Sequence, residues 1–168
     1  MSTPPVRNAE LGPRRRAVLL AVAWSALVLA GPGFVTSNGL AFLAPPAVAL
    51  WGYAASRPGK RAFVVEWLTA AVAWGFVTSW AAHVWWATVL WLGPGHGLWF
   101  ATAGAVLRRL ARRFPLTLAV PVAWVGLEAL RAAVPPPCGL PWLRLGPPVA
   151  AHAELVAWLA GSARAWGP

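Results

Sequence analysis

Residues 124–146 read WVGLEALRAAVPPPCGLPWLRLG. Glu128 and Arg131 stand three residues apart, so any helix here puts them on one face, near the end of an apolar run where each charge needs a partner. Pro135, Pro136 and Pro137 then stop the helix, Gly139 and Pro141 impose a turn, and Trp142 lies beyond it. The layout predicts a helix followed by a non-spanning loop at a membrane surface.

Composition widens that reading to the whole chain. Hydrophobic residues make up 59%, charged residues 11%, and mean hydropathy is +0.61, whereas average globular usage is about 25% charged. Thirteen tryptophans fit a chain that meets headgroups. The expected class is an all-α integral membrane protein, a bundle of about five transmembrane helices plus the start of a sixth. The net charge of +10 raises nucleic acid as a partner, but the positions of the charges exclude it. Arg7 and Arg14–Arg16 precede the first apolar run, Arg57, Lys60 and Arg61 follow the second, and Arg108, Arg109, Arg112 and Arg113 follow the fourth. Alternating spans put these clusters on one side, which is the positive-inside pattern and not a groove-binding patch. The amino terminus is expected in the cytoplasm.

In chain order, residues 1–16 are expected to form a disordered basic tail, with 17–168 as the transmembrane domain. The first span covers 17–35; a cleaved signal peptide is the rival reading of the same residues. The second, 40–55, carries Pro45 and Pro46, read either as a kink in a lipid-facing helix or as a broken helix lining a cavity. The third run, 62–92, reaches about 46 Å at 1.5 Å per residue, longer than a hydrocarbon core of about 30 Å, so it must tilt or protrude. Glu66, near its start, reads as an interfacial carboxylate paired with basic-side arginines, or as a proton relay. GPGHG at 93–97 reads as a turn, without the Lys and Ser/Thr spacing of a phosphate loop. Spans near 97–110 and 115–134 follow, and 149–163 begins a sixth helix.

One cysteine, Cys138, permits no internal disulfide and has no His within ten residues, so an inert thiol is favoured over a nucleophile. His83, His96 and His152 offer a haem-carrier reading only if two face each other; His96 and His152 fall in or near outer loops by spacing. No paired metal-ligand spacing occurs, and no cofactor is expected.

Trp124, Glu128, Arg131, Gly139, Leu140, Pro141, Trp142 and Gly146 together resemble the membrane region of bacterial apolipoprotein N-acyltransferases. The usual pattern there is a Trp and E-x-x-R on a helix, then GFPW and a glycine. Leu140 replaces the Phe, and Pro147 the tyrosine that commonly follows. The resemblance implies a multi-pass protein of the bacterial cytoplasmic (inner) membrane whose family moves an acyl chain from a phospholipid to the amino terminus of a diacylated lipoprotein through a thioester. The family's catalytic Glu, Lys and Cys lie in an outward-facing nitrilase-like domain that no segment of 1–168 resembles, so these residues match the amino-terminal membrane part. Downstream or separately encoded sequence is expected to supply the rest, making a nitrilase-like domain a further partner. Within 1–168 the implied site is not catalytic. Glu128 and Arg131 fix the end of the fifth helix, Gly139 and Pro141 set the turn of the same motif, and Trp142 lines an acyl entrance, or all five only stabilise the turn. A stand-alone membrane scaffold without chemistry is the alternative function.

Overall fold

The computed structural model describes residues 10–30, 40–79 and 86–133. Among them lie five α-helices and no strand: α1 Pro13–Ala30, α2 Ala44–Ser56, α3 Ala62–Val77, α4 Ala87–Leu110 and α5 Leu116–Ala133, with a short 3-10 turn, Ala41–Leu43, leading into α2.

Punctuation in the sequence starts and stops these helices. α1 opens on Pro13, whose fixed φ suits a first turn, and Arg16 N–H donates to Gly12 O at 3.0 Å. Pro45 and Pro46 occupy the first turn of α2, where a missing N–H costs nothing. They begin the helix; they neither kink nor break it. Between α2 and α3 the chain reverses through Arg57–Arg61, with Arg61 in the left-handed region at φ 59°. α3 stops at Thr78, whose N–H and hydroxyl both donate to Trp74 O, at 2.8 and 2.7 Å.

The long apolar run 62–92 is therefore not one helix. It divides after Val77, and α4 begins at Ala87 and continues straight through 93–97. The GPGHG turn expected there is corrected to helix, with Pro94 inside it. The glycines serve contact rather than reversal. A Cβ on Gly93 would stand 2.9 Å from Ala71 O, and one on Gly97 2.7 Å from Trp67 O and 2.8 Å from Ala71 N. Gly104 likewise leaves room only for the Glu66 carboxylate. Successive positions along α4 thus meet earlier positions along α3, so the two helices are antiparallel and nearly in backbone contact. Trp67 Nε1 donates to Pro94 O at 2.9 Å, an acceptor on the same seam. Gly97→Ala is expected to cost about 1–3 kcal/mol by overpacking, whereas Gly95→Ala, with nothing within 4 Å of its Cβ, should gain about 0.5–1 kcal/mol in helix propensity. Thermal melts of the two variants check the sign of each.

Every helix contributes to one core, including Leu20, Trp24, Trp51, Trp74, Phe100 and Trp124. α2 and α5 cross closely at Gly52, where a side chain would strike Val120. The outer faces are also apolar: Val22, Val72, Leu90, Trp91, Val122 and Leu130 are each at least half exposed. Among the described residues, no helix is long and apolar enough to cross a membrane. α1 carries three arginines in its first turn, α2 and α3 have 13 and 16 residues, and α4 contains Pro94 and His96.

The basic end of α1, the α2–α3 reversal and the end of α4 lie together. Leu11 N–H donates to Pro58 O at 3.1 Å, and Arg108 Nη1 to Ala55 O at 2.9 Å. Residues 10–16, expected as tail, are here bonded backbone and the first turn of α1.

Candidate functional site

Two polar constructions interrupt the apolar core, one at the basic end and one toward the far end of α5.

At the basic end, Glu66 in the second turn of α3 accepts from guanidinium groups on two other helices. Arg16 Nη1 donates to Glu66 Oε1 at 3.1 Å, and Arg108 Nη1 donates to the same oxygen. Arg16 Nη2 continues to Arg57 O at 2.6 Å and Pro58 O at 3.1 Å, filling carbonyls just past the end of α2. Arg108 does the same for Ala55 O. One carboxylate thereby ties α1, α2, α3 and α4. Arg16 and Glu66 are each 1% exposed, so their charges have left water and depend on these partners. The sequence suggested an interfacial Glu66 paired with basic-side arginines; its partners are two of them, Arg16 on α1 and Arg108 on α4, and the carboxylate is buried. Their signal was position alone, each being the arginine of its cluster closest to an apolar run.

Toward the far end, aromatic rings fill the bundle. Trp24 meets Phe100 edge-on at 4.7 Å, Trp51 meets Trp124 edge-on at 5.3 Å, and Phe100 lies 6.0 Å from both Trp74 and Trp124. His96 stacks on Trp74 at 4.4 Å, with Nδ1–H donating to Leu92 O at 2.8 Å. Its expected place in an outer loop is corrected: the ring is buried in α4, because residues 93–97 stay helical. Arg131, from the last turn of α5, sets its guanidinium 5.0 Å over Trp74 and 5.6 Å over Phe100. The ring faces offer it partial negative charge where water is excluded. Glu128 Oε1 stands 3.8 Å from Arg131 Nη1, so the i,i+3 pair shares a face with its charges close.

Of the residues singled out by sequence, the structure thus positions Glu128 and Arg131. Gly139, Pro141 and Trp142, with Cys138, His83 and His152, lie outside the described residues. Trp74 and Phe100, whose rings lie under Arg131, were not legible as its partners. Among the described residues, no cluster of three or more His, Cys, Asp or Glu could hold a metal ion. The hydroxyls of Ser56, Thr69 and Thr78 donate to backbone carbonyls of their own helices. Chemically, these groups hold helices in place.

The arrangement defines a helical bundle fastened by an ionic clamp at one end and by an arginine on aromatic rings toward the other. The model of the apolipoprotein N-acyltransferase N-terminal domain family matches residues 16–163, and the chain belongs to that family. No curated protein and no solved structure gives a significant match.

Proposed function

We propose that this chain is the membrane-embedded amino-terminal part of an apolipoprotein N-acyltransferase, which anchors the enzyme in the bacterial inner membrane and presents the residues after α5 to its catalytic domain. The observation that carries the reading is the family match over residues 16–163, which includes the Glu128–Arg131 helix and the residues beyond it. The apolar outer faces support the membrane part: side chains such as Val72, Leu90 and Val122 stand exposed around the bundle, and contiguous exposed apolar surface marks contact with a membrane or a partner. Exposed aromatics gather at both ends, Tyr53, Phe63 and Phe114 at the basic one and Phe42, Phe76, Trp86 and Trp91 at the other, as interfacial belts do. α4, of 24 residues, is about 36 Å long at 1.5 Å per residue, so its length is comparable with a core of about 30 Å, although its polar positions keep it below the apolarity of a span. In this placement the arginines of α1 stand at the headgroup level.

In this reading the bundle does not itself transfer acyl groups. Glu128 and Arg131 fix the end of α5, and Trp142, carried beyond Gly139 and Pro141, lines the acyl entrance. Purified residues 1–168, incubated with phospholipid and a diacylated lipoprotein, should give no triacylated product. The same residues joined to a nitrilase-like domain carrying Glu, Lys and Cys should give it. Product from the isolated chain that disappears in Cys138→Ala would overturn this division of labour.

A further inference from the structure

We propose that the basic end of the bundle binds the phosphate of anionic phospholipid headgroups, with Arg108 linking that bound phosphate to the buried clamp. The inference rests on the membrane reading above and goes beyond it, because the lipid is here a bound structural ligand and not an acyl donor.

The clamp is not neutral. Two guanidinium groups, Arg16 and Arg108, share the single Glu66 carboxylate, leaving one positive charge in excess at a site where Arg16 and Glu66 are buried. An uncompensated charge in low dielectric attracts a counterion. Arg108 is the clamp member that reaches the surface, its side chain 17% exposed against 1% for the other two. Its Nη1 is committed to Ala55 O and Glu66, while Nε and Nη2 carry no hydrogen bond among the described residues. Around it Lys60, Arg61, Arg109, Arg112 and Arg113 are exposed, and Glu10 is the one exposed acid among the described residues. A phosphate diester fits this surface as a planar guanidinium's partner. The exposed rings of Tyr53, Phe63 and Phe114 at the same end select a lipid over a free anion, because they lie where acyl chains begin below a bound headgroup.

The test is a melting experiment on the full chain in a neutral detergent, with added phosphatidylglycerol, phosphatidylcholine of the same chains, or inorganic phosphate. Phosphatidylglycerol should raise Tm by about 5 °C at saturating concentration, and the other two should leave it unchanged. The triple variant Arg109→Gln/Arg112→Gln/Arg113→Gln, all outside the clamp, should keep the basal Tm and lose the response. Equal shifts with both lipids, a shift with phosphate alone, or a full response in the triple variant would each overturn the proposal. Failure of the membrane reading is seen separately, as a chain that stays monodisperse without detergent; the lipid comparison is then made with short-chain forms and retains its meaning.

Discussion

Glu66→Ala is expected to lower stability by about 3–5 kcal/mol, the usual cost of removing one partner from a buried ion pair. The substitution strands Arg16, which has 1% exposure and whose Nη1 donates to the carboxylate at 3.1 Å. It also removes the group that orients Arg108, so the carbonyls of Ala55, Arg57 and Pro58 lose well-placed donors together. Four helix ends loosen at once. Arg108 is partly exposed and recovers some hydration, which sets the effect at the low end for that partner. Thermal denaturation in detergent should show Tm falling by about 10 °C. The double variant Glu66→Gln/Arg108→Gln, which leaves one guanidinium at the site where Glu66→Ala leaves two, should be less destabilised than Glu66→Ala. A Glu66→Ala protein that melts with the wild type would mean that the clamp contributes nothing.

Trp74→Ala should be comparably severe, at about 3–5 kcal/mol for a large buried ring that leaves a cavity. Trp74 is fully buried and stacks on His96, and it carries the guanidinium of Arg131 on its face. Loss of the ring removes packing in α3 and α4 and also releases the last turn of α5. Trp74→Phe keeps a π-face for Arg131 and should retain most of the stability, whereas Trp74→Leu fills volume without that face and should not. The ranking Phe above Leu above Ala, read from melting temperatures, separates stacking from simple filling. Leu matching or exceeding Phe would remove the cation–π contact from the account.

The sequence shows some of these features and hides others for identifiable reasons. The spacing of Glu128 and Arg131 on one helix face is a local property, and it is observed. That Arg131 lands on Trp74 and Phe100 is a tertiary fact linking residues far apart in the chain, and no window of sequence contains it. The run 62–92 is apolar throughout, so hydropathy could not reveal the division after Val77; the antiparallel packing of α3 on α4 shows it. Glycine at 93 and 97 is ambiguous in the same way, since the missing side chain that permits a turn also permits helices to touch backbone to backbone. Pro45 and Pro46 illustrate the reverse error: read as interruptions, they mark a start, because the preceding residues form a 3-10 turn and not an earlier stretch of the same helix. The basic clusters were legible as a pattern along the chain, and in the fold the three described ones converge on one end through Arg16, Pro58 and Arg108.

The proposed placement puts the bundle across the inner membrane with its basic end in the cytoplasm and the residues after α5 outside. Paired single-cysteine labelling of intact cells tests it most directly. One protein keeps the native Cys138; the other carries Gly12→Cys with Cys138→Ser, at a position that is exposed and free of neighbours within 4 Å. An impermeant thiol reagent should label Cys138 in intact cells and the residue-12 cysteine only after the inner face is opened. Labelling of the residue-12 cysteine in intact cells, or of Cys138 only after opening, would contradict the account.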